Sequence, residues 1–337
     1  MDKKKKILFV ANYKPGIGGI SGQVEYLMKY LPLEENYYAE VFATTGPVSK
    51  RIVKFFSLLL KARRFDVLHL HGCSGHGFLP IVYGTVAGKL WRKRIVVTYH
   101  GGSADAFFSK HTRWTRYWLM KADQRVVMSG FLKSVFDKYG IPSCVIPNVV
   151  KLKDDVYKDR KEILPRFLSV RHLRSLYNIP CILRAFERVQ RQVPEAELVL
   201  LGDGDKRMEL EEFVARHGLK NVHFVGQVPN EEIGIYYQKS DVMLSAPKAD
   251  NMPVSLLEAF SAGLLVISSR VGGVPYMVEH GKTGLLFESN NDTEMAEMML
   301  WALSHQTESL QMIDNAKREV KQYSWECVRE KLLALYE

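Results

Sequence analysis

The sequence has 337 residues, 47% of them hydrophobic, and a net charge of +10. This length is roughly twice that of a usual domain, which predicts two domains with separate cores. No apolar run approaches the ~20 residues of a membrane span, and residues 7–11 are too short for the apolar part of a signal peptide, so a cytoplasmic protein is predicted. The four cysteines are scattered without a CxxC pair, which favours reduced thiols over disulfides or zinc.

The charge is unevenly distributed along the chain. Residues 1–150 hold 23 Lys and Arg against 9 Asp and Glu, a net charge of +14, whereas residues 151–337 hold 24 against 28, a net charge of −4. This asymmetry favours an anionic surface or polymer as a partner of the first half, with a generously solvated surface as the alternative. Nucleic acid is disfavoured because no nucleic-acid motif accompanies the charge.

The first half alternates apolar runs with helical patterns. Residues 6–11 are typical of a buried parallel strand, and a glycine-rich turn at 15–20 leads into helical spacing over 21–31. The turn contains Gly18 and Gly19 and could bring backbone close to a phosphate, but it matches neither GxGxxG nor the P-loop, and a tight turn without a ligand stays open. Further strands are predicted at 39–45, 66–72, 94–102, 124–130 and 143–149, with helices at 49–64, at 80–91 and after residue 102.

Two histidines fall at the ends of predicted strands. His71 and His100 are each followed by glycine. Strands that alternate with helices form a parallel sheet, and ligands bind at the carboxyl ends of its strands. The two histidines are therefore candidates for lining a cleft, with a structural role as the alternative.

The second half repeats the alternation after a charged segment at 150–166, which is the best linker candidate because it lacks a clear period and ends near Pro165. Two doubly wound halves imply a cleft between them. Strands are predicted at 166–173, 196–204, 221–228 and 241–247, followed by an apolar run at 264–275 and a turn and strand at 281–287. Helices are predicted at 182–192, 206–218 and 231–240, in the segment that ends at His280, and over most of the C-terminal part.

A polar loop followed by a short apolar helix, residues 245–265, is a candidate anion site. Asp250 or Asn251 can cap the helix and Pro253 fits its first turn. The N–H groups at its positive end would belong to Met252, Val254 and Ser255. Glu258 shares a helix face with the first turn, so it could accept a hydrogen bond from a ligand hydroxyl. A capped surface helix with a solvated Glu258 is the alternative.

Two basic amphipathic segments in the first half could meet an anionic membrane. Residues 49–64 mix Phe and Leu with basic ends, and residues 110–121 interleave Trp114, Tyr117 and Trp118 with arginines. Core packing is the preferred explanation for the Phe and Leu of 49–64. For 110–121, a membrane or lipid-linked acceptor is preferred.

Several stretches follow one another along the chain: GIGGI, DVLHLHG, VVTYHGG, VIPNVV, LLGDGD, FVGQVPNEEI and the block from DVMLSAP to GKTGLLF. In this order and spacing they resemble the retaining nucleotide-sugar glycosyltransferases of family 4. The resemblance implies an α/β GT-B fold of two facing Rossmann-like doubly wound domains with the donor site in the cleft between them. Residues 1–155 would bind the acceptor and 156–337 the nucleotide-sugar donor, while the last helix, about 322–337, could pack back on the first domain.

The resemblance also implies roles for individual residues. Asp250 matches the first acid of the family's Glu-x7-Glu motif, and His100 matches a cleft histidine that contacts the sugar, so both are candidate catalytic residues. Glu258 would accept hydrogen bonds from the ribose hydroxyls. The candidate donor-binding residues are Gly18, Gly19, Arg171, Arg174, Val228, Met252, Val254, Ser255 and Glu258. No metal is expected, because backbone N–H donors, a helix dipole and cationic side chains can stabilise the departing diphosphate.

Three positions depart from the family pattern. Asp250 is one methylene shorter than the usual Glu, which puts the identity of the donor sugar in doubt. Tyr177 stands at the position of the family's Lys, so either Arg171 or Arg174 would supply the nearby cation. Tyr276 replaces a common Glu. The Asp203-x-Asp205 sequence resembles the family's glycine-rich turn and not a metal motif.

The predicted function is metal-independent, retaining hexosyl transfer from a nucleotide-diphosphate sugar of the UDP or GDP type to a lipid-linked or growing glycan acceptor, in surface polysaccharide or glycolipid synthesis. No other cofactor is predicted. The basic first half predicts peripheral association with the inner face of the plasma membrane. The alternatives are a non-catalytic GT-B protein that binds a sugar nucleotide or glycan, supported by the departures at Asp250 and Tyr177, and a nucleotide-sugar 2-epimerase.

Overall fold

The computed structural model describes residues 4–16, 19–46, 48–150, 152 and 156–337, with the side chains of 48–51 left out. The chain forms two compact units. The first unit consists of residues 1–150 together with 323–337, and the second of residues 151–322. Gly18 lies outside the described residues.

The first unit is built on a six-stranded sheet in the order β2-β1-β3-β4-β5-β6, in which every neighbouring pair is parallel. Its strands are Lys5–Ala11 (β1), Tyr37–Ala43 (β2), Val67–Gly72 (β3), Arg94–Tyr99 (β4), Gln124–Val127 (β5) and Cys144–Val145 (β6). Every residue of β3 is buried, as expected for a central strand covered on both faces. The helices that connect the strands are Ile20–Tyr30 (α1), Val48–Ala62 (α2), Leu79–Leu90 (α3), Ala104–Met120 (α4) and Gly130–Lys138 (α5).

Helix α5 is the one connecting helix that the sequence patterns did not identify. It begins after Ser129, whose Oγ accepts a hydrogen bond from Leu132 N at 3.3 Å. Its buried residues Leu132, Val135 and Phe136 repeat at helical spacing. With nine residues, α5 offers only about two turns of pattern between two strand predictions.

The C-terminal segment completes the core of the first unit. Helix Trp325–Leu333, which is α12 in chain order, buries Trp325, Val328 and Leu332 in the cluster that holds Val24 and Leu27 of α1. Beyond it, Tyr336 is fully buried and its backbone oxygen accepts a hydrogen bond from Lys5 Nζ at 2.7 Å.

The second unit contains another parallel six-stranded sheet, in the order β12-β11-β10-β7-β8-β9. Its strands are Arg166–Val170 (β7), Glu197–Leu201 (β8), Val222–Gly226 (β9), Val242–Ser245 (β10), Leu265–Ser269 (β11) and Leu285–Phe287 (β12). Its helices are Ile179–Gln190 (α6), Arg207–Arg216 (α7), Ile233–Lys239 (α8), Val254–Ser261 (α9), Asp292–Ser304 (α10) and Gln306–Glu319 (α11). The helix predicted up to His280 is wrong, because the segment contains only the 3₁₀ turn Val274–Tyr276, which follows two glycines and contains Pro275.

The predicted linker contributes a buried arginine to the second unit. Arg160 Nε lies 3.0 Å from Asp241 Oδ1, and its Nη atoms donate to the backbone oxygens of Tyr237 at 2.8 Å and Ala262 at 2.9 Å. Those oxygens lie near the C-terminal ends of α8 and α9, where helix carbonyls lack intrahelical partners. Arg160 therefore joins both helices to the sheet.

None of the helices in the described part of the chain combines the length and the apolar character of a membrane span.

Candidate functional site

The carboxyl ends of the parallel strands in the second unit lie at one edge of the sheet, which is where ligands bind in doubly wound folds. Four segments leave the sheet at this edge, of which three contain predicted site residues and one is the predicted glycine-rich turn. They are Arg171 after β7, residues 202–205 after β8, Val228 after β9 and Asp250 after β10.

Arg171 contacts three side chains at this edge. Its Nη2 lies 3.1 Å from Asp250 Oδ2 and 3.3 Å from Ser245 Oγ, and its Cζ lies 5.3 Å from the centre of the Tyr177 ring. Its Nε is buried and has no hydrogen-bond partner among the described residues. Arg174 is exposed. Of the two arginines, Arg171 is the one in contact with Asp250.

The backbone around Arg171 is fixed by two glycines of the turn after β8. A Cβ at Gly202 would lie 2.1 Å from the backbone oxygen of Arg171, and a Cβ at Gly204 would lie 2.3 Å from that of Leu173. Only glycine permits these approaches. Asp203 Oδ1 accepts a hydrogen bond from Gly204 N at 2.8 Å, so this carboxylate stabilises the turn.

The described residues include no group of three or more His, Cys, Asp or Glu side chains that could hold a metal ion. Metal independence stays a prediction.

The loop before α9 differs from its prediction at the helix cap. Pro253 occupies the N-cap position and no side chain caps the helix, so the prediction that Asp250 or Asn251 would cap it is wrong. Asp250 Oδ1 instead accepts a hydrogen bond from Asn251 N at 2.8 Å. A Cβ at Gly273 would lie 1.9 Å from the backbone oxygen of Asn251, and Gly273 N donates to the backbone oxygen of Asp250 at 3.1 Å. The loop is therefore held by close backbone contact.

The first turn of α9 retains donors for an anion. Val254 and Ser255 are its first helical residues, whose N–H groups have no acceptor within the helix. Ser255 Oγ is buried without a hydrogen-bond partner among the described residues. Met252, the third predicted donor residue of this stretch, is buried.

Glu258 is oriented by a residue that the sequence analysis missed. The hydroxyl of Tyr237 donates to Glu258 Oε2 at 3.0 Å, and the Tyr237 side chain is fully buried on α8. In the sequence, Tyr237 occupies an apolar position of a short helix, and nothing in its pattern points to a partner 21 residues away.

In the first unit, His100 follows β4 and is paired with the other predicted histidine. His71 Nδ1 and His100 Nε2 are 2.9 Å apart, and the two rings stack with centroids separated by 5.1 Å. His71 Nε2 is buried without a hydrogen-bond partner among the described residues. Burial lowers the pKa of His100 to about 3 and also lowers that of His71, so both are neutral at physiological pH.

A third histidine, His69, packs against His71 of this pair. His69 Nε2 lies 2.7 Å from Thr98 Oγ1, and its Nδ1 lies 2.8 Å from the hydroxyl of Tyr336 in the C-terminal segment. The ring centroids of His69 and His71 are 4.4 Å apart. Burial lowers the pKa of His69 to about 3.

Gly19 precedes α1 of the same unit with φ of 67°, a conformation that favours glycine.

The sequence matches two family models, one for each part of the chain. The model described as Glycosyltransferase Family 4 matches residues 24–154, and the model described as Glycosyl transferases group 1 matches residues 153–319. Together they span both units.

Two of the known proteins similar to this chain are named as a glycosyltransferase and as a glucosyldiacylglycerol synthase. An uncharacterized glycosyltransferase of Methanocaldococcus jannaschii is 24% identical over 96% of this chain and 95% of its own. The alpha-monoglucosyldiacylglycerol synthase of Acholeplasma laidlawii is 22% identical over 84% of this chain and 81% of its own.

The fold is likewise similar to that of a solved structure. The crystal structure of Anabaena HepE in complex with UDP and glucose covers 98% of both chains with a TM-score of 0.81 at 17% identity. Two parallel six-stranded sheets, both family models and this likeness of fold agree. The chain therefore belongs to the GT-B glycosyltransferases of the family 4 group.

Proposed function

We propose that this protein transfers a hexose, with retention at the anomeric carbon and without a metal ion, from a nucleoside-diphosphate sugar to a lipid-linked or growing glycan acceptor. The observation that best supports this proposal is made at the carboxyl edge of the second sheet. There, Arg171 Nε and Ser255 Oγ are buried without hydrogen-bond partners among the described residues. Ser255 belongs to the first turn of α9, which no side chain caps. Buried polar groups without partners are costly unless a ligand satisfies them.

The chemistry of this edge suits a departing diphosphate. When the bond between the anomeric carbon and the phosphate oxygen breaks, the electron pair leaves with the diphosphate and positive charge develops on the sugar. Arg171 and the amides of Val254 and Ser255 would stabilise the leaving group, since fixed donors can each contribute a few kcal/mol in a water-poor site. Glu258 would hold the ribose, and Asp250 would lie beside the transferred sugar. His100 of the first unit keeps its predicted catalytic role.

The partner classes follow from this site and from the relatives. Anabaena HepE is solved with UDP and glucose, and UDP or GDP sugars are proposed as donors here. The alpha-monoglucosyldiacylglycerol synthase of A. laidlawii supports a lipid-linked acceptor. The first unit would bind the acceptor and the second the donor.

A ligand screen followed by a transfer assay tests this function. We expect UDP or GDP, and one of their sugars, to raise the melting temperature, and the sugar to be transferred to a lipid-linked or glycan acceptor with the donor's anomeric configuration, as read by NMR. Turnover that persists in the presence of EDTA would support metal independence. Product formation without an acceptor would instead favour a 2-epimerase, and binding without any turnover would favour a binding protein.

We also propose that the first unit docks on the inner, anionic face of the plasma membrane, through α2. Its outer face exposes Ile52, Val53, Phe56 and Leu60 to between 59% and 70%. Arg63 and Arg64 are exposed just beyond the helix. An apolar stripe beside basic residues is typical of helices that lie in a lipid interface, and the +14 charge of residues 1–150 has the complementary sign.

Helix α4, which contains most of the other amphipathic segment, presents a smaller apolar surface. Trp114 and Tyr117 are exposed to 43% and 55%, but the Trp114 ring also packs on Phe78 with centroids 4.8 Å apart. The structure therefore makes α2 the principal candidate, although core packing was the preferred explanation for its Phe and Leu.

A further inference from the structure

We propose that Tyr177 is a positioning residue for the donor's diphosphate: its ring holds the Arg171 guanidinium so that the unpartnered Nε can bind a phosphate oxygen. The inference rests on the proposed function and adds a residue to the donor site. Tyr177 stands where the resemblance led us to expect a lysine that binds the diphosphate directly. The structure instead places an aromatic ring 5.3 Å from Arg171 Cζ, within the range of a cation–π contact.

The ring is anchored independently of Arg171. Tyr177 ends the 3₁₀ turn Ser175–Tyr177 and packs against the buried core of the second unit. The turn is tied to the loop after β10, because Lys248 N donates to the backbone oxygen of Leu176 at 2.9 Å. A side chain fixed in this way can restrict an arginine, whose long side chain otherwise loses conformational entropy on binding.

The other contacts of Arg171 engage one of its nitrogen donors and leave another without an acceptor among the described residues. Nη2 is shared between Asp250 and Ser245, while Nε is buried without a partner among the described residues. A guanidinium has five N–H donors in one plane, so fixing that plane with a ring also fixes the direction of Nε. Tyr177 thus affects the diphosphate through Arg171, without adding a charge of its own.

Binding measurements with two substitutions at position 177 test this role. Dissociation constants of UDP and GDP are measured by calorimetry for the wild type, Tyr177→Leu and Tyr177→Phe. Tyr177→Leu removes the π face, and we expect binding of the diphosphate to weaken about three- to tenfold. Tyr177→Phe keeps the ring, and we expect it to bind within about twofold of the wild type. If Tyr177→Leu does not fold, as judged by its melting curve, Tyr177→Met replaces it.

Two controls separate action through Arg171 from direct contact or a general loss of structure. In an Arg171→Ala background, Tyr177→Leu should weaken diphosphate binding no further. The free nucleoside, uridine or guanosine, should bind the wild type and Tyr177→Leu equally. An unchanged affinity for the diphosphate in Tyr177→Leu, an equal further loss in the Arg171→Ala background, or an equal loss for the nucleoside would each overturn the inference while leaving the proposed function intact. Failure of the wild type to bind UDP and GDP would overturn both.

Discussion

At the residue scale, the proposed donor site contains two carboxylates that are held by neighbouring side chains. Asp250 is paired with Arg171 at 3.1 Å, and Glu258 accepts the hydroxyl of buried Tyr237 at 3.0 Å. The hydrogen bond from the Tyr237 hydroxyl restricts the orientation of the Glu258 carboxylate. Tyr237 is therefore expected to orient the group that would hold the ribose.

Glu258→Gln is expected to weaken nucleoside-diphosphate binding about tenfold, because hydrogen bonds to a charged acceptor contribute about 1.5–3 kcal/mol and the amide is a weaker acceptor. Calorimetry with UDP and GDP measures the change. The same substitution should have little effect on a 2′,3′-dideoxy nucleotide, which lacks both ribose hydroxyls. An equal loss for the dideoxy nucleotide would show that Glu258 does not act on the ribose.

Individual site residues could be predicted unequally well from the sequence. Glu258 follows from the helix pattern and the resemblance together. Arg171 and Arg174 could not be separated, because they lie three residues apart and the choice depends on where β7 ends, at Val170. Tyr237 and the Tyr177 contact were not predictable, since each is a packing relation that no spacing in the sequence encodes.

At the element scale, α2 shows the limit of amphipathic patterns. Apolar residues occur on both of its sides, so the pattern alone does not say which side faces the core. In the structure, Leu58 and Ala62 are buried, while Phe56 and Leu60 are exposed. Trp91 Nε1 donates to the backbone oxygen of Leu59 at 2.7 Å and thereby contributes to holding this orientation.

Replacing both Phe56 and Leu60 by Ser is expected to lower the fraction of protein bound to anionic vesicles at least about fivefold in flotation at low salt, because two apolar side chains no longer enter the interface. Met208→Ser is the matched control, since Met208 is 75% exposed on α7 of the other unit. Equal flotation of the double variant and the control would exclude α2 as the docking element. No flotation of the wild type would exclude membrane docking.

Most other elements follow from local patterns. The continuous apolar runs predicted both parallel sheets, because a strand buried on two faces has no polar alternation. The errors occur where an element is short. Helix α5, which was not predicted, has nine residues, and Val274–Tyr276 forms a 3₁₀ turn where a helix was predicted. The strand predicted at 143–149 is present but spans only Cys144–Val145. Over such lengths there are too few repeats to distinguish one period from another.

At the scale of the whole molecule, the stability of the first unit should depend on pH through its buried histidines. Burial lowers the pKa of His69 and His100 to about 3, and the pKa of His71 is also lowered. The unfolded chain binds protons at these residues near pH 6.5, whereas the native unit does not. Their contribution is therefore fully present above about pH 6.5 and is lost as the pH falls toward about 3.

We expect the free energy of unfolding of the first unit to fall between about pH 6.5 and pH 5, by up to about 1.4 kcal/mol per pH unit for each histidine. Urea unfolding followed by tryptophan fluorescence measures it, since four of the five tryptophans, Trp91, Trp114, Trp118 and Trp325, belong to this unit. His100→Asn should reduce the slope. A stability that is flat over this range would show that the histidines are not neutral in the native protein.

The C-terminal segment that completes the first core also determines when that core can form. Tyr336 reaches His69 across 267 positions of the chain, and Trp325, Val328 and Leu332 cover α1. During synthesis, the second unit has all of its residues before these side chains leave the ribosome. The second unit can therefore finish folding first. The core of the first unit, although most of its residues are synthesised earliest, is completed only when the C-terminal segment has been released. A fragment that ends at residue 150 would lack these side chains and would expose the α1 surface that they cover.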